Sequence, residues 1–403
     1  MKRWHRHIER LLGGMLMLLF VACASGPTEK WEKPVLQIYL FAPDSPIVTR
    51  ADKGNVDASA EEKRISTLDV WVFEENTSTL VSNIHLANLT FEGQKVITME
   101  ISDEFATKAA NPDLDLAVDI YVAANVTEAN CGLALDRNST PADLEAALIQ
   151  NTAVGDFFGV TSPVRSVPDA GLPMSGLLKG EPVGGIPPVF TAKSRNVQLV
   201  RAVSKIRFIF SKSATFESAS APAISDISIV LGSDDNNDDN SKRVLPTAEY
   251  LFLEDIYPTK KIHLPTTPDY EANATLVSGI SGSDINSCTD PASYIYANET
   301  GQAYETKMND GLTVQDGQTH ADLSEVGPFY LRESDRKLTG TIYYTIGETP
   351  KSATFTMDEG FDFTRNHTWI VYGYFVGDGT LMLNIVDVKP WEESTDDPKV
   401  HNW

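Results

Sequence analysis

Short runs in which apolar and polar residues alternate recur along this chain, and turn-forming clusters separate them. The run at 68–73 places Leu68, Val70 and Val72 on one face of a strand. This pattern, repeated throughout, predicts a mostly-β protein of the sandwich type. Further strands are predicted at 35–41, 94–101, 116–123, 196–200, 203–210, 225–231, 338–346 and 353–357, and a hairpin at 367–376 and 380–388.

One segment, at 139–149, has the features of a helix. It begins with a cap candidate and a proline near the first turn, and good helix formers follow. We therefore expect one or two short helices beside the strands.

Composition excludes several classes of function. The 403 residues hold 33 Lys+Arg and 56 Asp+Glu, a net charge of −23, which repels phosphate backbones and argues against nucleic acid as a partner. The same charge argues against docking on an anionic membrane through a basic patch. Three cysteines exclude a disulfide-stapled scaffold and a four-cysteine zinc cluster.

The first 22 residues have the pattern of a secretory signal peptide. A basic stretch precedes an apolar run at 11–22, which is too short to span a bilayer. Small Ala22 stands directly before Cys23, an arrangement that resembles the bacterial lipobox, in which the cysteine is acylated and becomes the first residue. The alternative is an ordinary signal sequence followed by an unmodified cysteine.

The segment from 23 to 50 is predicted to hold a tether and one strand. Residues 24–34 are polar, 35–41 form a strongly β-prone run, and 42–46 form a turn cluster. Residues 51–63 are small and charged without periodicity, which indicates an exposed, protease-accessible loop. From residue 51 onward the chain has 26 basic and 52 acidic residues, a net charge of −26.

No catalytic, metal or cofactor motif appears in the sequence, so we predict a protein that is not an enzyme and needs no cofactor. The acidic run at 234–240 invites a calcium interpretation, but Asp239 and Leu245 occupy positions where an EF-hand needs glycine and glutamate. A solvated turn is the preferred interpretation. Cys131 and Cys288 could be bridged or separate, because sequence supplies no geometry.

A Ser- and Ala-rich stretch at 211–223 separates two groups of predicted strands. It suggests two domains, at 51–210 and 211–403.

Several segments, in this order and spacing, resemble the fimbrillin family of Bacteroidales, the subunits of type V pili. The resemblance lies in Thr67–Phe73, Val118–Asn125, Leu172–Gly176, Leu199–Ile206, Arg365-Asn366-His367 and Val388-Lys389-Pro390-Trp391. It implies two transthyretin-like β-sandwich domains and a precursor that travels to the outer membrane as a lipoprotein. It also implies that a surface arginine-specific protease cuts the loop after the first strand, which here corresponds to the bond between Arg50 and Ala51.

Cutting there would remove the first strand, with its apolar residues Val35, Leu36, Ile38 and Leu40. The bare sheet would then accept a strand from another pilus subunit. The candidate donor strand comprises Leu381, Leu383, Ile385, Val386 and Val388, with Trp391 beyond it.

These observations predict a structural subunit of a fimbrium that supports adhesion to a ligand the sequence does not name. Stalk, tip and anchor roles remain open, as does the role of the tail at 392–403. An uncleaved surface lipoprotein that binds glycan or protein is the main alternative, and a hydrolase with a site scattered over loops is a third.

Overall fold

The structure is a computed structural model of the chain. It describes residues 33–41, 61–89, 94–131, 135–150, 167–192, 196–213, 222–233, 243–253, 264–272, 274–282, 285, 287–288, 324–336, 338–356, 365–366, 368–375 and 379–388.

The first half of the described chain folds around one curved sheet. Its strands are β1 (Val35–Phe41), β2 (Ile65–Glu74), β3 (Leu80–Leu89), β4 (Gln94–Glu100), β5 (Ala117–Ala124), β6 (Leu148–Gln150), β7 (Met174–Ile186), β8 (Val189–Ala192), β9 (Val197–Gln198) and β10 (Val200–Arg201). The hydrogen-bonded path runs β3-β2-β5-β7-β8-β1-β4, while β9 pairs with β1 and β10 with β7.

Strand β7 joins the two layers of this sheet. Its first part pairs with β5, and its last residues pair with β8. Gly180 lies at a register shift within the β5–β7 ladder, two residues before its end, with φ of +65°, a conformation that favours glycine. Both layers contribute to one buried core cluster, for example Val70 and Val122 from one and Ile38 and Ile97 from the other. The sheet therefore folds over at β7 into two layers that pack as a sandwich.

The second half is built from two further sheets. Its strands are β11 (Ser204–Ser213), β12 (Ile224–Ser233), β13 (Arg243–Pro246), β14 (Ala248–Tyr250), β15 (Tyr270–Ala272), β16 (Ala274–Ile280), β17 (Ser287–Cys288), β18 (Ser324–Leu331), β19 (Leu338–Ile346), β20 (Thr349–Thr356), β21 (Thr368–Phe375) and β22 (Leu381–Val388). One sheet has the order β17-β11-β21-β22, with β18 also paired to β11, and the other has the order β16-β12-β19-β20. Residues of both sheets, such as Phe208 and Ile342, form a second core cluster.

Two short two-stranded pairings lie outside these larger sheets. β13 pairs with β15, and β14 pairs with β6, so that the second half of the chain contributes to the first half. Leu251 and Phe252, which follow β14, belong to the first core cluster. The mostly-β sandwich predicted from the sequence is thus confirmed.

The helices differ in part from the prediction. The described residues contain α1 (Asp103–Ala109), the four-residue α2 (Glu128–Cys131) and α3 (Pro141–Glu145), all short, in keeping with the few short helices expected beside the strands. α3 begins as predicted, since Thr140 and Asp143 form a capping box. It ends at Glu145 because the next residues pair as β6 with β14, so the predicted helix over 139–149 was too long. No described helix is both long and apolar enough to cross a membrane.

Asn125 fixes the end of β5 against the start of β2. It is fully buried and has φ of +56°, a conformation that asparagine tolerates better than most residues. Its Oδ1 accepts the N–H of Ser66 at 2.7 Å, and its Nδ2 donates to the carbonyls of Arg64 (2.8 Å) and Leu172 (2.9 Å). This side chain therefore holds together three segments that are distant in sequence.

We expect Asn125→Ala to lower the free energy of unfolding by about 2–4 kcal/mol, because it leaves buried backbone groups without partners. Asn138→Ala is the matched control, since Asn138 is an exposed turn asparagine, and its cost should stay within about 0.5 kcal/mol. Chemical denaturation of the two variants measures both values. Equal losses would contradict the role given to Asn125.

Candidate functional site

The structure describes only some of the residues that the sequence singles out. Cys23, Arg50, Ala51 and Trp391 lie outside the described residues, as does the acidic run at 234–240. The apolar residues of the first strand all lie in β1, and the backbone of the candidate donor strand forms β22. Within the described chain no group of three or more potential metal ligands occurs.

β1 has a hydrogen-bonded neighbour on each side. It pairs antiparallel with β4 over seven residues, from Val35↔Glu100 to Phe41↔Gln94. On its other side it runs parallel to β8 over three residue pairs and to β9 over two. One further backbone hydrogen bond lies at each end of β1. The N–H of Val35 donates to the carbonyl of Pro188 (2.8 Å), and the N–H of Leu199 donates to the carbonyl of Phe41 (3.1 Å). We call the position that β1 fills between these strands the first-strand slot.

Three side chains of β1 reach the core. Leu36, Ile38 and Leu40 are at most 1% exposed and belong to the first core cluster, whereas Gln37 and Tyr39 are half-buried on the other face. Full burial of a Leu or Ile side chain contributes about 1.5–3 kcal/mol, so the three together contribute about 5–9 kcal/mol. Net stabilities of whole domains are about 5–15 kcal/mol, so the layer that contains β8, β1 and β4 depends on an occupied slot.

β4 depends on β1 for its backbone pairing. Among the described strands it has a backbone ladder with β1 alone, because it stands at the end of the path β8-β1-β4. A hydrogen bond from Ser82 Oγ to the carbonyl of Glu100 (2.6 Å) ties the end of β4 to β3. Without a strand in the slot, β4 and the β8–β9 edge would both present unpaired backbone groups.

Among the described strands, β22 lies at the edge of its sheet. It pairs antiparallel with β21 over eight residues, and the hairpin predicted at 367–376 and 380–388 is confirmed. Leu381 is 5% exposed in the second core cluster, and its N–H donates to the hydroxyl of Tyr344 at 3.1 Å. The candidate donor strand is therefore seated in its own sheet.

A buried polar cluster lies where the two core clusters meet. The Glu62 carboxylate accepts two hydrogen bonds from Lys205 Nζ (2.9 and 3.0 Å) and one from the Tyr330 hydroxyl (2.5 Å). Arg201 Nε donates to the Glu62 carbonyl at 3.1 Å, and Arg201 Nη1 donates to Asn366 Oδ1 at 3.3 Å. We call these five residues the junction cluster; each is at most 5% exposed.

The ionisation of the junction cluster follows its burial. Removal from water lowers the pKa of Lys205, and the Glu62 carboxylate opposes this shift. Burial also raises the pKa of the Tyr330 hydroxyl, with Glu62 adding to the effect. Because a buried ion pair that loses one partner leaves an uncompensated charge, this cluster fixes the position of Glu62 strongly.

A second set of buried charges adjoins the first. Arg365 Nη2 donates to Glu333 Oε1 (2.6 Å) and to the carbonyl of Tyr250 (2.6 Å), while its Nη1 donates to Leu251 (3.0 Å). Glu249 Oε1 lies 3.7 Å from Arg365 Nη2. One guanidinium thus faces two carboxylates, and it anchors the segment that follows β14.

Three of the six segments that resemble fimbrillins contribute side chains to this junction. Arg201 and Lys205 come from one motif, Arg365 and Asn366 from another, and Ser175 Oγ of a third donates to the carbonyl of Leu251 at 2.6 Å. Their partners Glu62, Glu249, Glu333 and Tyr330 were missed by the sequence analysis. The only signal was the charge of Arg201 and Lys205 within an otherwise apolar run.

The two remaining cysteines lie in different parts of the fold. Cys131 is buried in the first core cluster, and Cys288 belongs to β17 of the second half. The side chain of Cys288 lies outside the described residues, so their pairing stays untested.

The protonation of Glu249 makes the free energy of unfolding depend on pH. Burial, reinforced by the neighbouring Glu333, raises its pKa from 4.5 to about 8 in the folded protein. Between these values the folded state holds a proton that the unfolded chain has lost. The free energy of unfolding should therefore fall as the pH rises from about 4.5 through about 8.

We expect Glu249→Gln, which stays neutral at every pH, to remove this part of the decline. Chemical denaturation at about pH 5.5, 7 and 8.5 measures it. Glu145→Gln is the control, because the pKa of Glu145 is lowered by its hydrogen bond from Lys179 and its ionisation lies below this range. A slope in Glu249→Gln equal to that of the unmodified protein would contradict the assignment.

Comparisons with known proteins find the fold but no close relative. No protein-family model matches the sequence, and no curated protein does. Among solved structures, a candidate cell adhesion protein from Parabacteroides distasonis matches with a TM-score of 0.50 and 15% identity, covering 89% of this chain and 98% of that one. The tip fimbrial protein Mfa3 from Porphyromonas gingivalis gives 0.48 and 12%, covering 88% and 98%. The fimbrilin FimA from the same organism gives 0.44 and 11%, covering 88% and 96%. The first match shows that this chain shares the fold of a candidate cell adhesion protein.

Proposed function

We propose that this protein is a structural fimbrial subunit, not an enzyme, which polymerises when the first-strand slot exchanges β1 for a strand of another subunit. The observation that carries the proposal is the double pairing of β1. One short segment near the start of the chain completes the backbone ladders of β4, β8 and β9 and three positions of the core. The fold shared with a candidate cell adhesion protein supports an adhesive role.

The signal-peptide pattern and the resemblance to fimbrillins support the following export route. The chain is made with a signal peptide at 1–22, is acylated at Cys23 and reaches the outer membrane as a lipoprotein. A surface arginine-specific protease cuts after Arg50 and breaks the covalent link between the segment 23–50 and the rest of the chain. The mature subunit starts at Ala51 and consists of the domains 51–210 and 211–403.

β22 has the side-chain pattern that the slot requires. β1 presents Leu, Ile and Leu at alternate positions, and β22 carries Leu381, Leu383 and Ile385 with the same spacing. The tail at 389–403 has no comparable run of alternating aliphatic residues. β22 of a second copy is therefore the donor strand in this proposal.

The geometry of the slot favours one orientation for the donor. A strand that runs like β1 restores the seven antiparallel pairs with β4, whereas a reversed strand would face β4 in parallel. Antiparallel pairing is slightly more stable per residue. With Leu381, Leu383 and Ile385 in place of Leu36, Ile38 and Leu40, Asn384 takes the position of Tyr39.

The proposal predicts the state of the protein on cells. Protein purified from the surface should begin at Ala51 and should run as an SDS-resistant ladder on unboiled gels, because exchanged strands are held by backbone ladders on both sides. N-terminal sequencing and the gel measure the two properties. A start at acylated Cys23 with only monomer would contradict the stalk role.

Cysteine pairing tests the donor strand and its orientation. Tyr39 pairs with Val96 of β4, and Val96 is 44% exposed. A protease-treated mixture of two variants, Val96→Cys and Asn384→Cys, should form a crosslinked heterodimer on oxidation. Met382→Cys replaces Asn384→Cys as the control, since it would face Val96 only in the reversed orientation. Crosslinking through position 382 would refute the orientation, and the absence of both products would refute the donor.

One observation favours the alternative, an uncleaved surface lipoprotein that binds glycan or protein. Both β1 and β22 are seated in their own sheets in this structure, as a stable monomer requires. An anchor subunit would likewise keep its lipid and β1. The same N-terminal sequencing separates these roles from a stalk.

A further inference from the structure

The segment immediately before β2 contains two basic residues that a trypsin-like or arginine-specific protease would recognise. Lys63 is half-buried and the side chain of Arg64 is exposed. Cleavage after Lys63 would give a chain that begins at Arg64. Cleavage after Arg64 would give one that begins at Ile65, the first residue of β2. Cleavage there would also remove Glu62 with its contacts, so a protease that separates β1 without disturbing the junction cluster has to cut upstream of these residues.

The junction cluster holds this segment in place from one side. Glu62 is 2% exposed, its carboxylate binds Lys205 of β11 and Tyr330 of β18, and its carbonyl accepts from Arg201 of β10. Both the side chain and the main chain of one residue are thus bound by three separate strands.

The backbone around Arg64 is bound from the other side. The Arg64 N–H donates to the Glu61 carbonyl at 3.2 Å, and the Arg64 carbonyl accepts from Asn125 Nδ2 at 2.8 Å. The next residue, Ile65, is 2% exposed at the start of β2. A protease needs several residues around the scissile bond in an extended form that it can bind, which requires this segment to open locally.

We propose that Glu62 is the residue that sets the downstream limit of proteolytic processing. By holding residues 61–64 in the junction, it keeps the Lys63–Arg64 and Arg64–Ile65 bonds out of a protease cleft although the Arg64 side chain is exposed. Its biological purpose rests on the proposed function, in which β1 is cut away while β2 must remain. The protection itself depends only on the contacts described here.

Limited digestion with trypsin, followed by intact-mass analysis, tests the inference on the full chain. In the unmodified protein, products that begin at Arg64 or Ile65 should be absent while the chain is folded. Glu62→Ala and Lys205→Met should each raise the cleavage rate at these two bonds at least about tenfold, because the segment then opens without global unfolding.

Ile229→Ala is the matched control, since Ile229 is fully buried in the second core cluster and far from Glu62 in the chain. It destabilises the protein, so it should raise cleavage at all buried basic sites alike, without selecting residues 63 and 64. Equal cleavage at Arg64 in the unmodified protein and in Glu62→Ala would overturn the inference. So would a selective increase in Ile229→Ala.

The digestion separates this inference from the proposed function. It uses trypsin in solution and measures no polymer, so protection by Glu62 would stand even if no strand exchange occurs on cells. Conversely, polymer formation with rapid trypsin cleavage at Arg64 would leave the fimbrial role intact and remove the role of Glu62.

Discussion

The backbone pairing of β1 holds together the layer of the first sandwich that contains β8, β1 and β4. β1 gives β4 its ladder within the described chain and gives β8 and β9 a neighbour on their open side. Its three inward side chains contribute about as much free energy as the net stability of a small domain. Loss of the covalent link after β1 would therefore not by itself release the strand. A cut subunit would hold β1 through these contacts until another strand displaced it, so exchange and not cleavage would be the step that changes the structure.

The junction cluster and the adjoining Arg365–Glu333 pair fix the position of the two core clusters relative to each other. Apolar contacts at this boundary would tolerate sliding, because hydrophobic burial is not directional. The Glu62–Lys205 pair instead fixes the segment before β2 against β11, and the Arg365–Glu333 pair fixes the segment before β21 against the residues that follow β18. Buried ion pairs add little net stability compared with apolar residues of the same size. Their value here is geometric: in the proposed exchange they would hold the chain from residue 61 onward in place while another strand replaces β1 in the slot.

The sequence predicted the local features of the fold better than the distant ones. The run at 35–41 and the hairpin before β22 were found because alternation and turn residues are local signals. α1 was missed although Ser102 caps it, because one short helix among many strands has little periodicity. The end of α3 was misplaced because the pairing of β6 with β14 links residues about 100 positions apart. For the same reason neither the parallel neighbours of β1 nor the partners of Glu62 could be derived from spacing.

Seating β22 in its own sheet does not argue against its role as a donor, because the two positions differ in how many ladders they offer. At the edge of its sheet β22 has eight antiparallel pairs with β21. In the first-strand slot a strand has seven antiparallel pairs with β4 and five parallel pairs with β8 and β9. Three aliphatic side chains of β1 are buried in the slot, and of the corresponding residues of β22 the structure describes Leu381 as buried and Leu383 as partly buried in the sheet of origin. For β22 alone, transfer would thus exchange one ladder for two. β1 gives up the same two ladders when it leaves the slot, so the ladders by themselves do not favour the donor over β1. In the proposed function the cut removes the covalent link that keeps β1 beside the slot, so that a displaced β1 can diffuse away while the donor stays tethered to its own subunit.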